Sequence, residues 1–268
     1  MQIYYINVDA HLERRAFMDG QLHKLGLSAT RLRAVTPAEV LDTDIEAACN
    51  PRRSGWIMPM ELSCSLSHLR AMQALLDSGA AHALILEDDA VLSVGLPRFL
   101  EAFDARPPDF DVVRLETRHQ RLRLLPAGVP DIGGIGIFHN HSVALGAAGY
   151  IVSRSGAAKI VASPQSRLHA IDTFLFNPYV SRRKLNVLQA KPALVIQADQ
   201  VNGPDAPPLP SLLTDRNRKT ELQRPHFWRR LPGRIGGWIE RDIIIGTQKI
   251  WHQHIRGARK TPVPFTAE

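Results

Sequence analysis

The first 35 residues alternate between strand-like and helix-like patterns, and this alternation restricts the chain to few folds. Gln2 to Val8 is a short run rich in β-branched and aromatic residues, which is typical of a strand. Apolar residues then recur at helical spacing from Leu12 to Leu25, and Gly26 stands at the usual C-terminal capping position. Thr30 to Val35 again has the composition of a strand. Strand, helix and strand in this order predict a parallel βαβ unit and an α/β fold.

The alternation continues to about residue 200. Residues 36–59 are interpreted as a loop with one helical turn, because glycine and proline interrupt them. The predicted helices are 61–77, closed by Gly79, then 96–104, 154–162 and 171–176. The predicted strands are 83–86, 111–115, 122–125, 136–138, 143–152, 185–188 and 194–196. Residues 1–200 are therefore expected to form one α/β domain with a mixed, mostly parallel central sheet.

The composition changes after residue 200. Residues 201–223 are predicted to be a proline-rich linker, since four prolines fall between residues 202 and 210. Residues 224–268 combine many Arg and Lys residues with three tryptophans, which predicts a helical, basic, amphipathic tail. Two interpretations of this tail remain open: a helix lying on an anionic membrane, and a helix packed on the core. Nucleic-acid binding is not expected, because no known binding module is recognisable.

Charge and cysteine content limit the partners and the cellular compartment expected for the chain. The 268 residues carry a formal net charge of +7, which favours an anionic partner such as a membrane surface or a phosphorylated ligand. Cys49 and Cys64 are too few for a disulfide framework and lack the spacing of a zinc site, so a reducing, cytosolic compartment is expected. The N-terminus has no signal-peptide pattern, and no apolar run reaches the ~18 residues of a membrane span.

An acidic triplet, Glu87-Asp88-Asp89, directly follows the apolar strand 83–86. Ligands of parallel α/β sheets bind beyond the carboxyl ends of the strands. Three carboxylates at such a position favour a hard divalent cation, Mn²⁺ or Mg²⁺, which often shares its ligands with substrate phosphates. Because alternate side chains of an extended segment point in opposite directions, Glu87 and Asp89 are predicted as the metal ligands. The alternative is that Asp88 caps the next helix and the other two are solvated.

A series of short motifs carries a family resemblance. In chain order they are Tyr5-Ile6-Asn7-Val8, Arg14-Arg15, Arg33-Ala34-Val35, Glu61 to His68, Leu84 to Asp89, Gly149 to Ser153, Gly156-Ala157 and Ile171-Asp172. Together they are similar to glycosyltransferase family 25, a bacterial lipopolysaccharide and lipooligosaccharide group. The resemblance covers about residues 2–200. It implies a GT-A-like nucleotide-sugar-binding fold, a UDP-sugar donor (typically UDP-galactose), a divalent metal at the triplet, and inversion at the anomeric carbon.

The resemblance also implies which residues contact the donor. The first βα turn of such sheets binds nucleotides, and arginine suits phosphate, so physical reasoning agrees for this turn. A solvated helix face is the alternative for the two arginines, and a buried, hydrogen-bonded histidine is the alternative for His68. The residues assigned to the donor site are Asn7, Arg14, Arg15, Ser67, His68 and Asp88, and for Ser67 and His68 a contact to the acceptor also remains open.

Inverting transfer needs a general base that takes the proton of the acceptor hydroxyl. Asp172 is the first candidate, because the apolar residues 170–175 around it would raise the pKa of its carboxyl group. A helix-capping role is the alternative for Asp172. The second-choice bases are Glu116 and Asp131, and His139 and His141 are taken as surface residues that could otherwise complete a metal site.

The expected function is transfer of a sugar, galactose in the first instance, to a glycan or glycolipid acceptor. The enzyme is expected in the cytoplasm, held by its basic tail on the inner face of the bacterial cytoplasmic membrane. Two other functions remain open. One is a metal-dependent phosphohydrolase that uses the same triplet, and the other is a non-catalytic membrane- or nucleic-acid-binding protein. Metal-dependent turnover of a UDP-sugar with an acceptor would separate the transferase from both.

Overall fold

The structure, a computed structural model, describes residues 1–53, 55–180, 185–201, 209 and 258–267. These residues form a nine-stranded sheet with helices on both faces and a separate three-stranded sheet. The helices are α1 (Leu12–Lys24), α2 (Asp42–Ala48), α3 (Pro59–Ser78), α4 (Leu96–Ala105), α5 (Arg154–Val161) and α6 (Ile171–Phe176). The strands are β1 (Gln2–Asn7), β2 (Thr30–Arg33), β3 (His82–Glu87), β4 (Ala90–Leu92), β5 (Val112–Arg114), β6 (Glu116–Thr117), β7 (Arg121–Pro126), β8 (Gly136–Asn140), β9 (Gly149–Ser153), β10 (Val187–Lys191), β11 (Val195–Gln197) and β12 (Arg259–Pro262).

The predicted βαβ unit is present at the N-terminus. β1 pairs in parallel with β2 on one side and with β3 on the other, with Tyr4 opposite Thr30 and Ile85. α1 connects β1 to β2, and Gly26 after it has a positive φ of 64°, a left-handed conformation that glycine adopts readily. The carboxyl ends of β1 and β3 therefore lie side by side, which brings Asn7 next to the acidic triplet.

The large sheet is mixed, with strand order β12-β7-β8-β10-β5-β9-β3-β1-β2. Its parallel pairs are β1–β2, β1–β3 and β5–β10, and the other neighbouring pairs are antiparallel. The α/β class and the mixed sheet are confirmed, but parallel pairing dominates only around β1. The reason lies in the connections, since parallel neighbours require a crossover and the link between β7 and β8 contains no helix.

Residues from β1 and β3 alternate between two apolar clusters, one on each face of the sheet. On one face, Tyr5 and Leu86 pack in a cluster with Phe99 of α4. On the other face, Tyr4 and Ile85 lie in a cluster with residues of α3 and α5. Strands buried on both faces are held rigidly, because a packed interior leaves little free volume. This packing fixes the position of Glu87 at the end of β3.

The three-stranded sheet, in the order β4-β11-β6, begins where the acidic triplet ends. β4 pairs antiparallel with β11, and the backbone amide of Ala198 donates to the carbonyl of Asp89 at 2.9 Å. This small sheet places the side chain of Gln197 beside Glu87. β11 was predicted from the sequence, but β4 and β6 were not. These two strands are only three and two residues long.

The last described residues belong to the large sheet. β12 pairs antiparallel with β7, and the hydroxyl of Thr117 donates to the carbonyl of Val263 at 2.6 Å. Residues 258–267 thus form a strand and an extended segment, whereas a helical tail was expected. They belong to the same sheet as the catalytic domain, which was predicted to end at residue 200. The rest of the predicted linker and tail, apart from residue 209, lies outside the described residues. Within the described ranges we find no candidate membrane-spanning helix.

Two other element bounds differ from the prediction. The strand expected over 143–152 is present only as β9, because residues 143–148 run as a loop past the triplet. The predicted single helical turn within 36–59 is a short 3₁₀ helix at Pro37–Glu39 followed by α2.

Candidate active site

A pocket of about 220 Å³ opens at the carboxyl ends of β1 and β3. The face of α3 that carries Cys64 and His68 forms one wall, and the start of α1 forms another. Seven of the nine site residues predicted from the sequence line it: Asn7, Arg14, Ser67, His68, Glu87, Asp88 and Asp89. The sequence motifs therefore converge on one site although up to 82 positions separate them (7 to 89).

Asp88 is buried and held by two residues of the first βα unit. Its carboxylate accepts a hydrogen bond from Asn7 Nδ2 at 2.7 Å and one from Arg14 at 2.9 Å. The same Arg14 guanidinium lies 3.3 Å from Asp89. Breaking such a buried pair is costly, because the remaining charge would be left without compensation. Asn7 and Arg14 therefore fix the triplet to the start of α1.

Glu87 is held from two sides at the end of β3. One carboxylate oxygen lies 3.1 Å from His68 Nε2, and the other accepts from Gln197 Nε2 at 3.1 Å. Burial acts to raise the pKa of Glu87, but the contacts with His68 and Gln197 outweigh it and leave that pKa below its ordinary value. Glu87 is thus ionised at neutral pH. Gln197 had no functional signal in the sequence, since it only follows an apolar strand.

His68 is fully buried and its ring bridges two residues. Its Nδ1 lies 2.9 Å from the hydroxyl of Tyr150, and its Nε2 faces Glu87. The ring also stacks on Tyr150 with 5.7 Å between the ring centroids. The structure thus combines both interpretations of this residue, because a buried, hydrogen-bonded helix histidine also lines the pocket.

Asp89 differs from its two neighbours because part of its carboxylate is unsatisfied. Its Oδ1 is buried and has no hydrogen-bond partner among the described residues. Burial, followed by the charge of Glu87, raises the pKa of Asp89 to about 7, against the opposing effect of Arg14. An unsatisfied buried carboxylate oxygen beside an ionised Glu87 is a fitting ligand set for Mn²⁺ or Mg²⁺, which prefer carboxylate oxygens.

Ser67 lines the pocket and also joins α3 to the loop that follows β2. Its hydroxyl donates to the carbonyl of Ser63 at 2.8 Å and accepts from the amide of Val35 at 2.8 Å. The hydroxyl has one proton, which is already donated, so only acceptor capacity remains for a ligand.

Arg15 and Asp172 do not line this pocket. Arg15 is half exposed and pairs with Asp19 one turn further along α1, as expected of a solvated helix face. Asp172 lies in the first turn of α6 and accepts hydrogen bonds from the backbone amides of Gly146, at 3.0 Å, and Thr173, at 2.6 Å. The helix phase explains why Arg14 faces the triplet while its neighbour faces solvent.

The second-choice bases lie in different surroundings. Glu116 is fully buried, accepts from the amide of Ala148 at 2.8 Å, and has its other oxygen without a hydrogen-bond partner among the described residues. Burial raises the pKa of Glu116 to about 8, although Arg114 lies 3.7 Å away. Asp131 is exposed. His139 and His141 line another cavity, of about 410 Å³, near the start of β5 and away from the triplet.

Comparison with known proteins identifies the family. A family profile described as glycosyltransferase family 25 (LPS biosynthesis protein) matches residues 1–175, which include the whole acidic triplet. The chain belongs to glycosyltransferase family 25. It is therefore a glycosyltransferase of lipopolysaccharide biosynthesis, and the family 25 resemblance seen in the sequence is confirmed. The α/β fold with a mixed sheet, which that resemblance implied, is also what the structure shows.

Two relatives illustrate the range of proteins that this chain resembles. The lacto-N-neotetraose biosynthesis glycosyltransferase LgtB of Neisseria gonorrhoeae is 31% identical over 213 residues, which is 74% of each chain. Procollagen galactosyltransferase 1 of Danio rerio is 23% identical over 218 residues, covering 72% of this chain and 36% of the relative. A solved glycosyltransferase involved in glycosylation of the major capsid of PBCV-1 aligns with a TM-score of 0.42 at 8% identity, covering 84% of this chain and 98% of the other.

Proposed function

We propose that this family 25 enzyme transfers galactose from UDP-galactose to a glycan of lipopolysaccharide or lipooligosaccharide, with inversion at the anomeric carbon. The two named relatives support the choice of sugar and acceptor, since one is a lacto-N-neotetraose biosynthesis enzyme and the other a galactosyltransferase. The observation that carries the proposal is the unsatisfied, buried oxygen of Asp89 beside the ionised Glu87, in a pocket at the carboxyl end of β3.

In this proposal Glu87 and Asp89 hold Mn²⁺ or Mg²⁺. When bound, the ion supplies charge that stabilises the departing nucleotide diphosphate. His68 and Gln197 keep Glu87 ionised and oriented, and Arg14 lies against Asp89 at the wall of the pocket. Asn7 acts through Asp88, which it anchors, so Asn7 is a positioning residue.

We assign the general base to Asp172. The base acts on the acceptor hydroxyl, on the side of the sugar opposite the leaving diphosphate, so it need not line the donor pocket. Its hydrogen bonds from Gly146 and Thr173 keep the carboxylate oriented. Asp172→Asn should lower kcat by about 10²–10⁴-fold and leave UDP-galactose affinity unchanged. An equal loss of donor affinity would place Asp172 on the donor instead.

The test of the function is transfer from UDP-galactose to a short soluble glycan, with Mn²⁺ and with EDTA. Wild type should need the metal, Asp89→Asn should lose most turnover, and the exposed control Asp77→Asn should keep it. The anomeric configuration of the product, read by NMR, tests inversion. Release of UMP and galactose 1-phosphate without an acceptor would favour the phosphohydrolase, because that enzyme cleaves a P–O bond. Turnover that is unchanged by EDTA would overturn the metal assignment.

A further inference from the structure

Cys64 lies one helical turn before His68 on α3, so the two side chains share one face of the helix. Glu87 at the end of β3 faces the same point. One ligand atom from each of these three residues lies within 4.8 Å of the other two. Cys64 and Glu87 are partly exposed and all three residues line the pocket, so an ion from solvent can reach them.

We propose that Cys64, His68 and Glu87 form a binding site for a borderline transition-metal ion such as Zn²⁺ or Co²⁺. This site shares Glu87 with the hard-ion site assigned to Glu87 and Asp89 but differs from it in its other two ligands. The spacing of a zinc site is not visible in the sequence, because this cluster joins a single cysteine to ligands from two elements.

The ligand types determine which metals the site prefers. Sulfur and imidazole ligands favour Zn²⁺ and Co²⁺, whereas Mg²⁺ and Mn²⁺ prefer oxygen. Metal–ligand distances of about 2.0–2.3 Å require the ligand atoms to approach each other to roughly 3–4 Å. His68 Nε2 and Glu87 are already 3.1 Å apart, so the remaining approach falls to the Cys64 side chain. Three protein ligands leave a fourth position open for water.

The surroundings of the cluster favour a bound cation. The carboxylates of Glu87, Asp88 and Asp89 line the same pocket, and a cation beside them lowers their mutual repulsion. Metal binding must also release the proton of the Cys64 thiol, since only the thiolate is a ligand. The hydroxyl of Tyr150 contacts Nδ1 of His68 and so directs Nε2 toward the cluster, as the outer partners of metal-bound histidines do.

Sharing Glu87 has a functional consequence, which rests on the proposed function. An ion at the cysteine cluster draws Glu87 away from Asp89, so Zn²⁺ should inhibit transfer in competition with Mn²⁺. Cys64→Ser should relieve this inhibition.

The decisive experiment needs neither donor nor acceptor. Co²⁺ is titrated into the full-length protein while thiolate-to-cobalt charge-transfer absorption is followed in the near ultraviolet. We expect a saturable band in wild type and in Cys49→Ser, the matched control at the other cysteine, and no band in Cys64→Ser. Tyr150→Phe should keep the band but weaken Co²⁺ affinity by about 10–100-fold.

Thermal melts of each variant establish that it is folded. If Cys64→Ser does not fold, Cys64→Ala is used in its place. A band that persists in folded Cys64→Ser or Cys64→Ala, a band lost in Cys49→Ser, or no band in wild type overturns the site. Because the readout is spectroscopic, the cobalt site can stand when UDP-galactose is not the donor, and the transferase proposal can stand when no cobalt band forms.

Discussion

The carboxylate of Asp89 is partly buried, with Oδ1 shielded from solvent, and lies close to two other carboxylates, so the fold disfavours its ionised form. Its pKa of about 7 lies far above the ordinary value for aspartate. The folded state thus binds the proton more tightly than the unfolded state does. The resulting contribution to stability is complete below about pH 4 and is lost as the pH rises through 7. At pH 8 the metal-free protein carries the full cost of this charge.

Asp89→Asn should therefore stabilise the metal-free protein at pH 8, by on the order of 1–3 kcal/mol, because the amide carries no charge. The difference in Tm from wild type should shrink as the pH falls toward 4. Thermal melts between pH 4 and 8 in EDTA test this, with Asp131→Asn as the exposed control. A variant less stable than wild type at pH 8 would contradict the electrostatic account of this residue.

Gly146 packs directly against the buried carboxylate of Glu116. Its φ is 89°, and a Cβ there would lie 2.1 Å from Glu116 Oε1. Gly146→Ala should lower the free energy of unfolding by about 2–4 kcal/mol, through backbone strain and overpacking together. Gly20→Ala on α1, where a Cβ meets nothing within 4 Å, should raise it by about 0.5–1 kcal/mol. Urea unfolding of both variants measures the difference, and similar midpoints would refute the packing argument.

Seven of the nine site residues predicted from the sequence line the pocket, because they stand at strand ends or on one helix face. Glu87 follows an apolar strand, and His68 belongs to an amphipathic helix, so both patterns are local. Gln197 and Tyr150 were missed, because their roles depend on which strands become neighbours in space. Arg15 was included because two adjacent arginines look alike in sequence, and only the phase of α1 separates them.

Among the elements, the long periodic ones were predicted and the short ones were not. α3 and β3 have uninterrupted apolar patterns, and the structure places them within two residues of the predicted bounds. β4 and β6 form because they pair with β11. Two or three residues are too few to show a strand pattern in the sequence. β12 is polar and reads Arg-Lys-Thr-Pro, so it lacks the apolar residues that identify a strand.

The contribution of β12, which was predicted as part of a helical tail, to the stability of the core can be tested by mutation. Val263, directly after it, is 1% exposed and packs in the same apolar cluster as Leu122 and Leu124. Val263→Ala should lower the free energy of unfolding by about 1–3 kcal/mol. Lys260→Ala on the exposed side should change it by less than about 0.5 kcal/mol. Denaturant unfolding of the two variants checks this, and equal midpoints would show that β12 does not contribute to the core.

At the scale of the whole molecule, the pairing of β12 with β7 limits which variants can test membrane binding by the basic tail. We propose that the basic residues of 224–257 hold the enzyme on an anionic membrane. A truncation near Pro210 would also remove β12, so loss of binding could come from misfolding. Replacing residues 211–257 by a Gly/Ser segment of equal length keeps β12 and removes the basic and Trp residues.

This replacement should abolish sedimentation with anionic liposomes at low salt and preserve activity on a short soluble acceptor. Wild-type binding should weaken as salt rises, because screening shortens the reach of charge attraction. Equal liposome binding by both proteins would show that the basic segment does not carry the interaction.

The pairing of β12 with β7 also means that the outer edge of the large sheet is completed late during synthesis. About 60 residues separate β11 from β12, and at a synthesis rate of about 5–20 residues per second they take roughly 3–12 s to translate. During that interval β7 lacks β12, its outer neighbour in the described sheet, and an open strand can pair with another nascent chain. Arg121 and Arg123 put positive charge on this strand, and charge on an open strand discourages such pairing. We therefore expect Arg121 and Arg123, which border β12 in the finished protein, to discourage pairing between growing chains on the ribosome.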